Sequence, residues 1–290
     1  MNAPDRVDIV VYGTVALDRF SPSGRELPGG EALNTACLLA GWGVSVALVG
    51  TAIGRDPEGV RLRDLIEATG LSRAFIPDDP DAVTPVCDIV VSPNGERTMS
   101  GRGFAQAIAP PVPEALFTSR PIRPIVAVDP NLGLQATQTA LAAAQAGCPL
   151  IAMDFAHQPD VVAVAEVLQC SLESLRRFGG PTGEPEEIVA ALPARTALLT
   201  LGAEGGIVQT QGRITRYRAY PLTDVCDTTG AGDAFRAGLC YSRLQNWPLE
   251  RTLYFASATA ACHCRRLGGA SQVPLEEIHD LMAKNPVIIF

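Results

Sequence analysis

The stretch Asp227–Phe235, with the sequence DTTGAGDAF, combines a glycine-rich turn with the start of a helix. Apolar residues recur at helical spacing over 231–245, which predicts that Gly230 to Gly232 form the first turn of that helix. The first N–H groups of a helix have no partner within it, and the helix dipole adds positive charge there. Because glycine carries no Cβ, a ligand can approach this backbone closely. The stretch therefore predicts an anion-binding site, most often one for phosphate.

Asp233 lies just inside the same predicted helix end. The helix dipole keeps a carboxylate ionised at this position, so Asp233 is a candidate proton acceptor. An anion cradle with a base beside it is the arrangement that phosphoryl transfer to a hydroxyl requires. The alternative interpretation is a tight turn followed by a helix that begins with a favourable acidic residue.

Composition limits the possible classes of protein. The chain has 290 residues, of which 47% are hydrophobic, enough for the core of one large α/β domain or two small ones. Its formal net charge is −8 and its arginines are scattered, which argues against a nucleic-acid surface. No apolar run reaches the roughly 18 residues of a membrane span, and the polar start passes directly into a strand. We therefore expect a cytoplasmic protein without a signal peptide or membrane segment.

The scarcity of lysine excludes several kinds of phosphate site. Lys284 is the only lysine, so neither a Walker A loop nor the strand lysine of a protein kinase can be present. If the chain handles ATP, helix amides, arginines and metal ions must hold the phosphates.

Apolar runs alternate with helical patterns along the chain, without a break in composition. Buried strands are predicted at 7–12, 44–49, 123–128, 149–153 and 195–201, and strand pairs at 85–100 and 205–218. Helices are predicted at 31–41, 57–68, 135–146, 159–168, 184–191, 248–264 and 274–284, and a polar loop at 19–30. The alternation predicts one main α/β domain.

The DTTGAGD motif resembles the carboxy-proximal signature of the PfkB family, the ribokinase-like carbohydrate and nucleoside kinases. The resemblance implies that the amides of Gly230, Ala231 and Gly232 hold the transferring phosphate and that Asp233 is the catalytic base. It also implies a ribokinase-like three-layer αβα sandwich with a mostly parallel central sheet. A single kinase domain is then expected over 1–290.

Candidate acceptor-binding residues lie near the amino terminus. Gly29 and Gly30, followed by Asn34, resemble the amino-proximal PfkB element, which implies that these three residues contact the sugar. Asp18 follows the first predicted strand at the edge where ligands collect, so it is a candidate hydroxyl binder, with a turn residue as the alternative. Arg97, beside the predicted strand pair, could reach a substrate; the alternative is a solvated arginine.

The resemblance also implies ATP and Mg²⁺ as cofactors. The residues that it implies for the nucleotide are Thr200, Gly202, Gly205 and Gly268, from the TLG..G element and the loop expected to line the adenine site. Asp227 and Thr229 resemble positions of a monovalent-cation site, which would hold K⁺.

The chain departs from the family pattern before Gly29. Only residues 19–28 separate Asp18 from the glycines, which we interpret as too short for a full lid sheet. A reduced lid, at about 14–30 and 85–104, resembles the fructoselysine and fructosamine 6-kinase branch. Without a lid sheet to exchange, we expect a monomer or a homodimer not formed by a lid clasp. The apolar tail at 287–290 is a candidate for another contact surface.

A second departure concerns the metal. The family's Asn-x-x-Glu motif, which orders magnesium, has no complete counterpart in residues 170–174. Glu173 is the candidate for the magnesium shell, with a helix-start carboxylate as the alternative.

Together these features predict an ATP-dependent kinase that transfers the γ-phosphoryl group to a hydroxyl of a small-molecule sugar or sugar derivative. The first alternative is a nucleoside kinase of the same family, and the second is a catalytically silent sugar sensor or scaffold. A dinucleotide-binding oxidoreductase is the third, but residues 13–16 lack the glycine pattern that it needs after the first strand.

Overall fold

The computed structural model describes residues 6–92, 97–118 and 122–285. The strands are β1 (Ile9–Gly13), β2 (Ala16–Ser21), β3 (Arg25–Gly29), β4 (Val46–Gly50), β5 (Val86–Val91), β6 (Arg97–Arg102), β7 (Ile125–Val128), β8 (Leu150–Met153), β9 (Val167–Ser171), β10 (Thr196–Thr200), β11 (Gly206–Thr210) and β12 (Arg213–Tyr217). The helices are α1 (Glu31–Gly41), α2 (Pro57–Thr69), α3 (Glu114–Phe117), α4 (Gly133–Gln145), α5 (Pro159–Val164), α6 (Leu172–Phe178), α7 (Pro185–Ala190), α8 (Ala231–Leu244), α9 (Leu249–His263) and α10 (Leu275–Lys284). Within these ranges no helix is long and apolar enough to cross a membrane.

The main sheet has eight strands in the order β12-β11-β10-β9-β8-β7-β1-β4. The six strands from β10 to β4 run parallel, and β11 and β12 complete one side as an antiparallel hairpin. Side chains of β1 alternate between two apolar cores, Ile9 and Val11 in one and Val10 and Tyr12 in the other. The first core includes residues of α1, α8 and α9, and the second includes residues of α4, α5 and α7. The expected three-layer αβα sandwich is thus confirmed.

A second, smaller sheet has four strands in the order β3-β2-β5-β6. It is built from the segments expected as the reduced lid, about 14–30 and 85–104. The loop predicted at 19–30 is wrong, because these residues form the antiparallel pair β2 and β3 around a tight turn. The sequence pattern did not predict these strands, because β2 is also held by hydrogen bonds to β5, a strand some seventy positions later.

Residues 19–28 thus form part of a lid sheet despite their short length, and whether that lid is reduced relative to the family stays a prediction. This removes the reason for expecting no lid clasp, and the state of assembly stays a prediction. Two segments named in that context, the turn at 93–96 and the tail at 287–290, lie outside the described residues.

One predicted helix is also wrong in its second half. The segment 159–168 forms only the short helix α5, and Val167 begins β9 between β8 and β10. β9 is only five residues long and shows no clear alternation of apolar and polar residues, so its sequence pattern does not distinguish it from the end of a helix. The strand places Glu173 and Ser174 in the first turn of α6, at the carboxyl edge of the sheet.

Candidate active site

Acidic side chains meet where the parallel strands end. Asp129 follows β7 and Asp154 follows β8; these two strands are neighbours, and β7 is also next to β1. Asp129 is fully buried against the end of β1, where a Cβ on Gly13 would lie 1.8 Å from its Oδ2 atom. Sequence reasoning missed both residues, although each directly follows a predicted strand and ligands collect at that edge.

Asp233 is buried in the first turn of α8 and contacts the predicted acceptor-binding helix α1. Asn34 Nδ2 donates a hydrogen bond to Asp233 Oδ2 at 2.8 Å. The hydroxyl of Thr35 donates to the main-chain oxygen of Asp233 at 3.3 Å. The structure therefore joins two predicted site residues that lie 199 positions apart.

The surroundings of Asp233 adjust its proton affinity. Burial raises its pKa from the ordinary value of 3.8 to about 6, against the opposing effects of the Arg236 guanidinium and the Asn34 hydrogen bond. The charge of Asp129 raises the pKa further, and that of Arg97 lowers it. A carboxylate with such a pKa is mostly ionised at neutral pH and takes up a proton readily, as a general base must.

Asp18 on β2 is also buried and packs on the glycine pair that precedes α1. A Cβ on Gly29 would lie 2.2 Å from the Asp18 carboxyl carbon, and one on Gly30 would lie 2.4 Å from the carbonyl oxygen of Thr14. Gly30 also has φ of 98°, which favours glycine. Burial, with the charges of Asp233 and Asp227, raises the pKa of Asp18 to about 8. Asp18 is thus mostly protonated at neutral pH and can donate a hydrogen bond.

Replacing Asp18 by Asn is expected to stabilise the protein more as the pH rises. The pKa is about 8 in the folded protein, against an ordinary value of 3.8, so the contribution of the neutral carboxyl is complete below pH 3.8 and is lost as the pH rises through about 8. Between these limits the folded state holds one proton more, so the wild type loses up to about 1.4 kcal/mol of unfolding free energy per pH unit. Asn does not ionise, so Asp18→Asn does not lose unfolding free energy in this way as the pH rises.

Urea unfolding of Asp18→Asn and wild type at pH 5 and pH 8 measures the difference. Asp64→Asn, on the exposed surface of α2, is the matched control and should give the same difference at both pH values. A pH-independent effect of Asp18→Asn would contradict the buried neutral carboxyl.

The first turn of α8, which carries the predicted anion cradle, includes two free amides beyond Ala231. The N–H of Ala231 donates to the carbonyl of Thr228 at 3.2 Å, whereas those of Gly232 and Asp233 donate to no group within the described part of the chain. Gly232 is exposed, and the nearest atom to a Cβ placed on it would be Gln169 Nε2 at 3.8 Å. Gly232 therefore borders open space beside unpaired donors at a helix N-terminus, the kind of local geometry that binds a phosphate.

Gly230 has a different part in the cradle. Its φ is 78°, and a Cβ on it would lie 2.6 Å from Gly269 Cα. Because it is a glycine, Gly230 can adopt this left-handed conformation, and its loop can pack closely on the loop that contains Gly269. The cradle thus depends on Gly230 for its shape and on Gly232 for access.

Asp227 fixes the loop that precedes the cradle. One carboxylate oxygen accepts from the amide and hydroxyl of Thr229, at 2.9 and 2.7 Å, and the other accepts from the amide of Gly268 at 2.9 Å. The His263 ring, buried on α9, contacts the Thr229 carbonyl oxygen through Nε2 at 3.0 Å. Both oxygens of Asp227 are occupied by donors of the protein itself, so the chain already holds the loop that a cation was predicted to order. The K⁺ site stays a prediction.

Arg97 links the lid sheet to the same loop. Its Nη1 atom donates to the Thr228 carbonyl at 3.2 Å and is 3.1 Å from the Thr228 hydroxyl oxygen. The side chain is therefore not the solvated arginine of the alternative interpretation. It lies beside the cradle, on the strand β6 predicted to carry it.

Three of the four predicted nucleotide residues lie at the end of β10 or just after it. Thr200 bonds through its hydroxyl to the Cys170 carbonyl at 3.2 Å, and a Cβ on Gly205 would lie 2.1 Å from the Tyr217 carbonyl oxygen. A Cβ on Gly202 would meet no atom within 4 Å, so this residue borders open space. Gly268 instead packs on the lid, where its Cβ would lie 2.4 Å from Leu27 Cδ1, another close approach that only glycine permits.

The magnesium candidate is isolated. Glu173 lies in the first turn of α6, whose start is closed by reciprocal hydrogen bonds between Ser171 and Ser174. Among the residues that the structure describes, no three His, Cys, Asp or Glu side chains are grouped to hold a metal. Mg²⁺ commonly keeps several waters and binds through one or two carboxylates together with substrate phosphates, so a single carboxylate at this edge fits that mode.

Comparison with known proteins decides the family. The family model of the pfkB family carbohydrate kinases matches residues 8–276. The chain belongs to this family. As a PfkB protein it is a phosphotransferase of the kinase class, and the recognition made from the DTTGAGD motif is confirmed at that level.

Its relatives in this PfkB family have different acceptors in their names. The chain is 27% identical over 256 residues to an ATP-dependent ribose-1-phosphate kinase of Halopiger xanaduensis, covering 86% of this chain and 84% of that protein. It is 25% identical over 276 residues to a nucleoside kinase of Methanothermobacter thermautotrophicus, covering 86% and 82%. It resembles the structure of Arabidopsis thaliana ribokinase complexed with ribose and ATP with a TM-score of 0.79 at 22% identity, over 96% of this chain and 99% of that one. The last comparison shows the shared fold.

Proposed function

We propose that this chain is an ATP-dependent kinase that transfers the γ-phosphoryl group to a hydroxyl of a sugar or sugar derivative, with Asp233 as catalytic base. The observation that carries the proposal is the 2.8 Å hydrogen bond from Asn34 to Asp233, beside the unpaired amides of Gly232 and Asp233. It brings the proposed acceptor-binding helix, a buried carboxylate and an anion cradle into one site. These are the three parts that phosphoryl transfer by positioning and charge stabilisation needs.

In the proposed reaction, the acceptor hydroxyl lies between Asp18 and Asp233, against Gly29, Gly30 and Asn34. Asp233 takes the hydroxyl proton as the oxygen forms its bond to the γ-phosphorus, and the bond to the leaving ADP oxygen breaks. The free helix amides donate to the phosphoryl oxygens, and Arg97 adds positive charge from the lid side. Glu173 is proposed to help hold Mg²⁺, which when bound would neutralise charge on the ATP phosphates.

The nucleotide is proposed to extend from the cradle towards Thr200, Gly202 and Gly205, with Gly268 in the loop opposite. A single kinase domain over 1–290, a cytoplasmic location and activation by K⁺ at Asp227 and Thr229 belong to the same proposal. The acceptor is left open between a ketose or glycated amine and a nucleoside.

A panel of acceptors tested with MgATP decides the substrate class. It contains ribose, fructose, ribose 1-phosphate, a glycated lysine and purine and pyrimidine nucleosides, and ADP release is measured against Asp233→Asn. We expect a sugar or sugar derivative to give the highest kcat/KM. Turnover of purine nucleosides alone would favour the nucleoside kinase alternative. If no acceptor releases ADP above the control while sugars still bind in calorimetry, the silent sensor replaces the kinase.

A further inference from the structure

Arg236 is the largest of the fully buried side chains, and it lies on α8 three residues after Asp233. Its Nε atom donates to the Thr35 hydroxyl oxygen at 3.0 Å, and its Nη2 atom donates to the carbonyl oxygen of Glu31 at 2.6 Å. These two bonds fix the guanidinium against the first turn of α1, which also supplies Asn34.

The same guanidinium lies between two buried carboxylates. Its Nη2 atom is 3.8 Å from Asp233 Oδ1, and its Nη1 atom is 3.8 Å from Asp129 Oδ2. Neither Arg236 Nη1 nor Asp129 Oδ2 has a hydrogen-bond partner among the described residues. Buried groups left in this way are costly, and their presence calls for an explanation beyond stability.

Four carboxyl groups share this one buried guanidinium. They come from different elements: Glu31 begins α1, Asp129 follows β7, Asp154 follows β8 and Asp233 lies on α8. Burial raises the pKa of each, and Arg236 lowers each of them. Of the four, Asp129 and Asp233 each have a carboxylate oxygen 3.8 Å from a nitrogen of this guanidinium.

Three other titratable or charged groups lie near Arg236 and Asp233. Asp18 on β2 faces Asp233, whose charge raises the pKa of Asp18, and Arg97 on β6 lowers the pKa of Asp233 as an opposite charge. Cys240 lies next to Arg236 on α8, and burial raises the pKa of its thiol to about 12, so it stays neutral. Arg97 is half-buried, which leaves Arg236 as the fully shielded opposing charge.

We propose that Arg236 is a positioning residue for phosphoryl transfer: its guanidinium, anchored on α1, keeps the Asp233 carboxylate ionised and oriented among the surrounding acids. The inference rests on the proposed function of Asp233 as the base. Without the guanidinium, burial and the charge of Asp129 act on Asp233 unopposed from this side. The carboxyl then holds its proton at neutral pH and cannot accept one from a hydroxyl.

The test titrates Asp233 directly by carbon NMR of the full chain labelled at the aspartate carboxyl carbons, with Asp233→Asn to assign the signal. Arg236→Gln should raise the pKa of Asp233 by about 1 to 2 units, because an opposite charge at this distance typically lowers a carboxyl pKa by that amount. Arg236→Lys should keep it near the wild-type value. Asp129→Asn should lower it, the opposite direction, because a like charge is removed.

Arg243→Gln is the matched control, since it removes an arginine two turns further along α8 that pairs with Glu166 instead. It should leave the titration of Asp233 unchanged. If Arg236→Gln does not fold, Arg236→Met, which also removes the charge, takes its place. An Asp233 titration that is the same in every folded variant overturns the proposal, because a purely structural arginine would not move it.

The pH dependence of kcat tests the role of Arg236 separately from the proposed kinase activity. The acid limb of the kcat profile should follow the NMR shift, so Arg236→Gln should lose about two- to tenfold at pH 7 and recover most of it near pH 9. A loss of the same size at all pH values would overturn the role in ionisation. NMR shifts in a protein that phosphorylates no acceptor would refute the kinase proposal, while the electrostatic role of Arg236 would be upheld.

Discussion

Asp233→Asn is expected to lower turnover by about a hundred- to ten-thousand-fold, because it removes the positioned proton acceptor. The substitution is close to isosteric, and the new amide oxygen can still accept the hydrogen bond from Asn34. Asn is also tolerated at a helix start, so the free energy of unfolding should change by at most about 1 kcal/mol. The cradle amides are untouched, and ATP affinity should change little.

Single-turnover rates, ATP binding by calorimetry and thermal unfolding measure the three quantities separately. Asp64→Asn on the exposed face of α2 makes the same chemical change away from the site and should keep the full rate. If Asp233→Asn kept more than about a tenth of the wild-type rate, Asp233 would not be the base. The mechanism would then need another proton acceptor.

Gly232→Val is expected to weaken nucleotide binding about ten- to a hundredfold, because its side chain fills the space in front of the free amides. Hydrogen bonds to a charged group contribute roughly 1.5–3 kcal/mol each, so the loss of one bond suffices for this effect. The fold should survive, since Gly232 is exposed and a Cβ there would meet Gln169 Nε2 only at 3.8 Å. Its backbone has no left-handed conformation that would exclude valine.

The dissociation constant of ATP by calorimetry, with thermal unfolding as a check on the fold, measures this effect. Gly232→Ala is the size control and should give an intermediate loss, because a single methyl group covers less of the cradle. Unchanged ATP affinity in a folded Gly232→Val protein would show that phosphate does not bind at this helix end. Together with Asp233→Asn, the variant separates the binding of the phosphoryl group from the removal of the proton.

The sequence determined the α/β class, the order of most strands and helices, and the stretch Asp227–Phe235 as the start of a helix. These are local properties. Apolar periodicity, glycines and an acidic residue at a helix N-terminus act over a few neighbouring positions, so their consequences can be predicted without knowledge of the rest of the chain. The proposed base and cradle came from this level.

The tertiary structure decided what surrounds the base. The lid strands β2 and β3 exist because β2 pairs with the distant β5, and β9 exists because it is enclosed between β8 and β10. Asp129 and Arg236 meet at 3.8 Å although they lie on different elements, and burial then sets the proton affinity of Asp233. Desolvation and Coulomb interactions depend on distance in space and on exclusion of water, neither of which is encoded in a local stretch of residues.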